Sequence, residues 1–335
     1  MNLFVLLTLL QDGLTTGAIY LLLAVGLLIV FSVTRVIFVP QGDLLALAAL
    51  TVAQLEAGSV PGTLWLLDAL AVLAVLADLL AGSRWRALRW LPVPALVTLA
   101  TLFGPRAAAW YAMPLGLAII TPFGPLLWRL VFRRAAGATM LTLLILAMAL
   151  HFVLEGAGMV LFGPDGAATA PLTEAAFAVG PLTLSGQSLA VVGLCAALVA
   201  LLRWFFGATI EGKALRAAAS DRLGARLVGI DAARSGGLAF ALAAFVAALS
   251  GVLIAALTPI GYDTGFAIGL KGFVAAIVGG LVSYPAAAAG AVLVGVLESL
   301  GSFWASAYRD VIVYALLVPV LLLLSWRGRR AGEET

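Results

Sequence analysis

The sequence consists largely of apolar runs separated by short polar segments, and this pattern leaves few folds open. An apolar run of roughly 18 residues or more is long enough to cross the hydrocarbon core of a membrane as a helix. The runs lack the polar and apolar alternation of membrane-barrel strands, so helices must satisfy the backbone. The sequence therefore predicts an all-α polytopic membrane protein with about 11 transmembrane helices, within a range of roughly 9–11. We place the spans near residues 13–33, 42–60, 63–81, 91–104, 108–131, 138–161, 187–206, 235–257, 266–283, 286–304 and 309–326.

Charged residues are rare in this chain. They make up 10% of the 335 residues, and 64% are hydrophobic, whereas soluble domains carry about 25% charged residues. This composition excludes a soluble domain. The single cysteine, Cys195, excludes an intrachain disulfide and is typical of a buried thiol. The start of the chain has no basic segment and no small-residue cleavage site, so we expect no cleaved signal peptide.

The positions of Lys and Arg predict the orientation of the chain, because these residues concentrate in cytoplasmic loops. With the N-terminus outside, the loops that alternate into the cytoplasm hold every Lys and Arg except Arg106, Lys271 and Arg309. We therefore expect an external N-terminus, a cytoplasmic C-terminus, an external loop over 163–186 and a cytoplasmic loop over 207–234.

The segment 207–234 is a long polar interruption in which charges of both signs accumulate. Alanine, a strong helix former, is frequent in it, and small residues follow i, i+3, i+4, i+7 spacing. This pattern predicts a short exposed helix between Gly212 and Gly229, with one flat face flanked by arginines. Such a helix is typical of a surface that docks on a cytoplasmic partner; a solvated connecting loop is the alternative. The flat face comprises Ala214, Ala217, Ala218, Asp221 and Ala225.

The stretch from Gly212 to Ile230 resembles the coupling loop of the branched-chain amino acid permeases (LivH type) of ABC importers. In that family the loop inserts into the ATP-hydrolysing subunit, so the resemblance implies the same role here. The matching residues are Gly212, Ala214, Arg216, Ala217, Ala219, Asp221, Ala225, Leu227, Gly229 and Ile230, with Lys213 where the family usually has Arg. The implied ATPase-coupling residues are Gly212, Lys213, Arg216, Ala217, Asp221, Ala225 and Gly229.

Two stretches are expected to interrupt helices at membrane depth, Phe38–Asp43 and Gly279–Pro285. Proline and glycine free backbone groups there, and such irregular backbone is tolerated only where protein or a water-lined cavity satisfies it. Both lie between paired apolar segments at opposite ends of the chain, which suggests an internal repeat and a translocation site between its halves. Ordinary tight turns are the alternative.

The resemblance to the LivH-type permeases extends beyond the coupling loop. It includes Gly13–Tyr20, the block Gly269–Leu281, and then Pro285, Gly290, Gly295 and Glu298. In the first interruption Gly42 matches the family pattern, whereas Phe38 and Val39 depart from it. Residues 61–105 fall outside the resemblance and are interpreted as an inserted helix pair. We expect one transmembrane permease domain over 1–335, with the ABC importer permease fold, a cytoplasmic coupling helix and broken helices near the core.

Ionisable residues inside a span are costly and are functional candidates by default. Lys271 and Glu298 are expected to pair across the bundle, either to fix helix register or to contact substrate. His151 and Glu155 are interpreted as a hydrogen-bonded packing pair, and Asp68 and Asp78 as residues near the interfaces. The candidates for the translocation pathway are Thr15, Thr16, Tyr20, Gln41, Gly42, Asp43, Lys271, Gly279, Gly280 and Glu298. For Thr15, Thr16 and Tyr20, the alternative to lining a pathway is that their hydroxyl groups form hydrogen bonds with the backbone. We expect no catalytic residue and no metal site.

The sequence contains no G-x-x-x-x-G-K-[ST] phosphate loop, no H-E-x-x-H and no CxxC. We therefore expect a chain that is not an enzyme and binds no cofactor, with ATP and Mg used by partner subunits. The resemblance implies the permease subunit of an ABC importer that moves branched-chain or related amino acids across the inner membrane. It also implies four kinds of partner: a second permease subunit (LivM-like or an identical copy), two cytoplasmic ATP-binding subunits, an external substrate-binding protein and the lipid bilayer, with no nucleic acid.

A self-sufficient secondary transporter or channel for a small polar solute is the alternative, and a polytopic membrane enzyme is a third class. The sequence leaves open whether the substrate is a branched-chain amino acid, another amino acid, urea or an amide. It also leaves open a homodimer or a heterodimer.

Overall fold

The computed structural model describes residues 3–83, 87–104, 108–179, 182–279, 281, 283–315, 318–319 and 322. Helices dominate this part of the chain. In chain order they are α1 (Leu3–Thr34), α2 (Gln41–Glu56), α3 (Gly62–Leu80), α4 (Pro92–Phe103), α5 (Ala109–Ile120), α6 (Phe123–Leu127), α7 (Met140–Phe162), α8 (Gly186–Ala208), α9 (Ile210–Ser220), α10 (Arg222–Leu227), α11 (Ala232–Ala255), α12 (Thr264–Val278), α13 (Tyr284–Trp304) and α14 (Arg309–Ala315). A π-helical turn, Trp128–Phe132, continues α6. Two 3₁₀ turns, Leu88–Trp90 and Ser306–Tyr308, precede α4 and α14.

Within the described residues, seven helical segments are long and apolar enough to cross a membrane. They are α1, α3, α5 with α6 and the π turn, α7, α8, α11 and α13. Helices α4 and α12 are apolar but shorter, and α2 has 16 residues. The predicted all-α, multi-span architecture is confirmed, and the figure of about 11 spans stays a prediction.

The predicted external loop 163–186 contains a small antiparallel hairpin, which the sequence analysis did not anticipate. Strand β1 (Ala176–Val179) pairs with β2 (Leu182–Ser185), with Ala176 opposite Ser185. A separate bridge joins Ala167 to Ile260, so the loop is also held against the segment between α11 and α12.

Helix α1 lies at the centre of the bundle and packs against α11, α12 and α13. Glycines set its distance from α13, because a residue without a side chain lets two helix backbones approach closely. A Cβ at Gly13 would lie 2.7 Å from the Cα of Val296, and one at Gly17 would lie 3.0 Å from the Ala291 carbonyl oxygen. Across the bundle, the Phe240 ring of α11 packs between Phe38 and Trp128, with centroids 4.7 and 5.2 Å away.

The first predicted interruption lies inside the protein. Arg35, which follows α1, adopts a left-handed conformation with φ of 63°, and the chain then turns back along α1. Helix α2 begins where Gln41 donates a hydrogen bond to the Leu23 carbonyl, at 3.0 Å. Leu23 lies eleven residues before the end of α1, a distance of about 17 Å along a helix. The buried Phe38 belongs to the irregular backbone that covers this distance.

The second predicted interruption is a hydrogen-bonded turn between antiparallel helices, which matches the tight-turn alternative. The Leu281 amide donates to the Ala276 carbonyl at 3.0 Å, and the Ser283 amide donates to the Gly279 carbonyl at 3.1 Å. Leu281 has φ of 58°. Gly280, a pathway candidate, lies outside the described residues.

The proposed inserted pair corresponds to α3 and α4, and its acidic residues make specific contacts. The Thr98 hydroxyl of α4 donates to both carboxylate oxygens of Asp68 on α3, at 3.1 Å. Asp78 forms a buried ion pair with Arg129 of the π turn and accepts a hydrogen bond from Trp90 at 2.8 Å. Asp78 therefore ties the pair to the rest of the bundle. That the pair is an insertion stays a prediction.

We expect Asp78→Ala to lower the free energy of unfolding by about 3–5 kcal/mol, because it leaves the buried Arg129 guanidinium without its counter-charge. The double variant Asp78→Ala/Arg129→Met should recover most of that loss. Thermal unfolding of the purified protein in mild detergent measures both. Asp68→Asn is the matched control, since the amide still accepts a hydrogen bond from Thr98. An Asp78→Ala midpoint equal to that of the unchanged protein would show that the ion pair adds no stability.

Candidate translocation site

An apolar cavity of about 210 Å³ lies beside the first interruption, between α1, α2, α7 and α12. Among the described residues that line it, only Gln41 has a polar side chain. The lining residues are Leu23, Leu27, Ile37, Phe38, Val39, Gln41, Gly42, Leu144, Met148, Phe266, Gly269, Leu270 and Phe273. The cavity therefore offers an apolar volume at the point where a helix begins inside the bundle.

Glycines bring the start of α2 against α12 at this cavity. A Cβ at Gly269 would lie 2.8 Å from the Cα of Gly42, and a Cβ at Gly42 would overlap the carbonyl of Gly265. Side chains at these positions would separate the two helices. The glycines of α2 and α12 therefore allow the first turn of α2 to lie directly against α12.

Gln41 is almost fully buried, with 1% of its surface exposed. Its Nε2 is bound to the Leu23 carbonyl, and its Oε1 accepts no hydrogen bond from any described residue. A buried amide oxygen without a donor is costly, and such groups are rare in native proteins. Gln41 therefore presents an unused acceptor at the edge of an apolar cavity.

Three ionisable side chains form a chain beside the cavity. Both carboxylate oxygens of the buried Asp43 lie 2.9 Å from His151 Nδ1, and His151 Nε2 lies 3.6 Å from Glu155 Oε2. The imidazole also stacks on Phe266, with ring centroids 4.4 Å apart. His151 and Glu155 are neighbours, as expected, but 3.6 Å is too long for the expected hydrogen bond, and the imidazole is hydrogen-bonded to Asp43 instead. Sequence reasoning missed this partner, although a carboxylate in a span needs one and the chain has a single histidine.

Lys271, Glu298 and Tyr20 form a second polar cluster. Lys271 Nζ lies 2.5 Å from Glu298 Oε1, and Tyr20 donates to the other Glu298 carboxylate oxygen. The expected Lys271–Glu298 pair is present. Asp310 of α14, which the sequence analysis missed, lies 2.9 Å from Lys271 Nζ. Gln41 and Gly42 thus line the cavity and Asp43 follows them in α2, whereas Tyr20, Lys271 and Glu298 lie together between α1, α12 and α13.

The remaining pathway candidates have local roles in the structure. The hydroxyls of Thr15 and Thr16 donate to the carbonyls of Gln11 and Asp12, at 2.9 and 3.0 Å. These bonds match the alternative in which the two threonines satisfy their own helix. Gly279 ends α12, and a Cβ there would lie 2.7 Å from the Ala287 amide nitrogen, so it permits the turn into α13.

The predicted coupling helix consists of two helices, α9 and α10, and the prediction of a single helix is wrong. Asp221 interrupts it with an extended backbone, and its carboxylate accepts a hydrogen bond from the Leu223 amide at 2.9 Å. An aspartate favours this N-cap geometry over a place inside a helix. Gly212 lies inside α9, which begins after the N-cap Thr209, and Gly229 ends the segment with φ of 87°.

The small-residue face of this segment packs inward, contrary to the flat docking face expected from the sequence. Leu215, Ala218 and Ala225 are buried in one apolar cluster with Val33 of α1. Exposed apolar side chains lie on the outer side instead. We define the coupling surface as the exposed residues Ile210, Lys213, Arg216, Leu223, Leu227 and Val228, in which the four apolar side chains are 69–85% exposed.

Basic side chains cluster where α9 and α10 meet the end of α1. Partial burial, together with the nearby Arg226 and Arg35, lowers the pKa of the Arg222 guanidinium. Arg35 and Arg216 line a second cavity of about 410 Å³, which also includes Leu281 and Tyr284 from the second interruption. The coupling surface therefore lies beside positive charge, the end of α1 and the second interruption.

The long apolar helices, with partnered charges between them, define a multi-pass membrane protein. The family model for "Branched-chain amino acid transport system / permease component" matches residues 9–321. The chain therefore belongs to this family of permease components, which agrees with the resemblance seen in the sequence.

Individual relatives support the same family. The chain is 42% identical over 115 residues to the high-affinity branched-chain amino acid transport system permease protein LivH of Salmonella typhimurium, which covers 34% of this chain and 37% of LivH. It is 31% identical over 202 residues to the corresponding protein BraD of Pseudomonas aeruginosa, which covers 58% of this chain and 66% of BraD. The chain thus matches between about a third and two thirds of the length of these relatives.

A search of solved structures finds PsaBC from Streptococcus pneumoniae in complex with Fab, with coverage of 94% of this chain and 90% of that one. The identity is 14% and the TM-score is 0.38. This similarity is too low to support an argument about fold or function.

We expect Gly42→Ala to destabilise the protein by about 1–3 kcal/mol, because the added methyl group overlaps the backbone of α12. Gly156→Ala is the matched control, since a Cβ there meets nothing within 4 Å and the position is inside α7. Alanine should stabilise that helix by about 0.5–1 kcal/mol. Unfolding midpoints in detergent compare the two variants. Equal midpoints for the two variants, or a Gly42→Ala midpoint above that of Gly156→Ala, would contradict the close approach of α2 to α12.

Proposed function

We propose that this chain is the permease subunit of an ABC importer for branched-chain or related amino acids, driven by ATP that separate subunits hydrolyse. The observation that carries the proposal is the coupling surface. This chain belongs to a family of transport permease components. Its segment between the long apolar helices α8 and α11 exposes both apolar and basic side chains. Exposed apolar side chains next to charge are typical of a protein interface.

On this proposal the chain works in the inner membrane with its N-terminus outside and its C-terminus in the cytoplasm. Segment 207–234 then faces the cytoplasm, where two ATP-binding subunits with their ATP and Mg dock on it. The loop 163–186 faces outward, where an external binding protein delivers substrate. A second permease subunit, LivM-like or an identical copy, completes the membrane part. The names of LivH and BraD as branched-chain amino acid permease proteins support this assignment.

The contacts of α9 support a mechanical role. Gly212 packs against the backbone of Phe205 and Phe206 at the end of α8, and Glu211 forms an ion pair with Arg234 of α11. Leu215 shares an apolar cluster with Val33 of α1. Movement of the ATP-binding subunits would therefore displace α9 together with the ends of three membrane helices. The end of α1 leads directly into the buried segment beside the cavity.

The alternative of a self-sufficient secondary transporter is favoured by one observation, the buried chain Asp43–His151–Glu155. Ionisable groups in contact inside a membrane protein are a feature of proton relays. The two functions differ in energy source. Uptake that stops with an uncoupler and survives ATP depletion would favour the secondary transporter, and the reverse pattern would favour the importer.

We expect Leu227→Asp and Arg216→Glu to release the ATP-binding subunit and to abolish uptake without changing the amount of permease in the membrane. A buried charge at an interface lowers affinity by about tenfold or more. Affinity purification from native membranes in mild detergent, with quantification of retained ATPase, measures the effect.

Phe177→Asp is the matched control for retention of the ATP-binding subunit. Phe177 is 53% exposed in the hairpin, and the 23 residues of α8 separate that hairpin from α9, or about 35 Å. Retention of the ATPase together with normal uptake in Leu227→Asp and Arg216→Glu would rule out the coupling role.

A further inference from the structure

We propose that the cavity beside α2 is an intramembrane binding site for a neutral amino acid with an aliphatic side chain, with Gln41 as its polar contact. This inference rests on the function proposed above and assigns the substrate class to a place in this chain. It is carried by three features: the lining of the cavity, the unpaired oxygen of Gln41 and the position of the start of α2.

The lining of the cavity matches an aliphatic side chain. Leu23, Leu27, Leu144 and Met148 supply aliphatic and thioether surface, and Phe273 supplies an aromatic wall. Transfer of an apolar side chain from water into such surroundings is favourable. A ligand pocket of this kind is mostly apolar and has few polar groups that orient the ligand.

Gln41 provides the orienting group. Its Oε1 has no hydrogen-bond donor among the described residues, its side chain is 1% exposed, and it lines the cavity. The ammonium group of an amino acid is a donor that would satisfy this oxygen. Because Gln41 Nε2 already donates to the Leu23 carbonyl, Oε1 is the atom of this amide that is left to accept a hydrogen bond.

The start of α2 provides a place for the carboxylate. Val39, just before this 16-residue helix, and Gln41 and Gly42, in its first turn, line the cavity. The amides of Gln41 and Gly42 already donate to the carbonyls of Phe38 and Val39, at 3.1 and 3.3 Å, so the helix acts on a carboxylate through its dipole and not through these two groups. The N-terminal end of a helix carries partial positive charge and favours an anionic group. Half-helices that begin within a membrane protein use this property to hold substrate carboxylates.

The same geometry selects against charged side chains. None of the described lining residues is charged, so an acidic or basic side chain in this cavity would be buried without a partner. The ionisable residues Asp43 and His151 do not line the cavity. Phe266 lines the cavity and stacks on His151, so it lies between the two. The site therefore accepts leucine, isoleucine or valine and rejects glutamate or lysine.

The first test fills the cavity. Leu144→Trp places a bulky ring in the cavity, whereas Ile145→Trp places it on the outer face of the same helix, where Ile145 is 60% exposed. We measure equilibrium binding of radiolabelled L-leucine to the full chain in nanodiscs, and uptake by the complete transporter in proteoliposomes. Leu144→Trp should lower both at least tenfold, and Ile145→Trp should leave both within about twofold. Equal effects of the two variants, or none from Leu144→Trp, overturn the proposal.

The second test addresses Gln41. Gln41→Met keeps the volume of the side chain and removes its acceptor, so the Kd for leucine should rise about tenfold. The deaminated analogue 4-methyl-2-oxopentanoate lacks the ammonium group, so its weaker binding should be unchanged in this variant. Gln187→Met, in the first turn of α8, is the control. Parallel losses for leucine and the analogue would show that Gln41 is structural and would overturn its assigned role.

The two assays separate failure of the site from failure of the proposed function. Normal leucine uptake by Leu144→Trp, with the ATPase retained, would overturn the site and leave the importer intact. Absence of ATP-driven uptake in the unchanged complex would overturn the importer, and saturable leucine binding that Leu144→Trp abolishes would still support the site. Absence of leucine binding to the unchanged chain overturns the site whatever the transport result.

Discussion

The close approach of α2 to α12 through Gly42, Gly265 and Gly269 is the constraint on which the core of this protein depends. This approach lets α2 begin inside the bundle, beside the middle of α1. Side chains at the three glycine positions would keep the backbones of α2 and α12 apart. The hydrogen bond from Gln41 to the Leu23 carbonyl then fixes the depth of that start. The cavity, the buried irregular segment before α2 and the position of Asp43 all follow from this one contact between backbones.

The buried charges of the bundle each join elements that are distant in the sequence. Asp78 links α3 to the π turn, Lys271 links α12 to α13 and α14, and Asp43 links α2 to α7 through His151. Buried ion pairs add little net stability, because desolvation offsets their attraction, but loss of one partner is costly. In an apolar bundle, where most contacts are non-directional, such groups have the geometry needed to fix the register of neighbouring helices.

The sequence predicted the helices well, because a long apolar run has essentially one solution in a membrane. It predicted irregular backbone at Phe38–Asp43 from proline and glycine, which is correct for Phe38–Pro40 and wrong for Gln41–Asp43, since these residues form the first turn of α2. It also selected Lys271 and Glu298 as partners. It failed where the outcome depends on competition between local and tertiary contacts. Asp221 caps α10 instead of continuing a helix, and Ala218 and Ala225 pack inward because the end of α1 offers an apolar surface. The partner of Asp43 could not be located, since 108 residues separate it from His151.

The connection between the coupling surface and the cavity follows from the order of elements along the chain. The apolar cluster of Leu215, Ala218 and Val33 packs α9 against the end of α1. Arg35 follows directly, with a left-handed backbone conformation. Residues other than glycine rarely adopt this conformation, and the surrounding structure must hold it in place. The next residues form the irregular segment that ends at Gln41, and its backbone hydrogen bonds close local turns, such as those from Val39 to Ile37 and from Gln41 to Phe38. On the proposed function, a force on α9 therefore reaches the lining of the cavity through about six residues of backbone, without passing through a rigid helix.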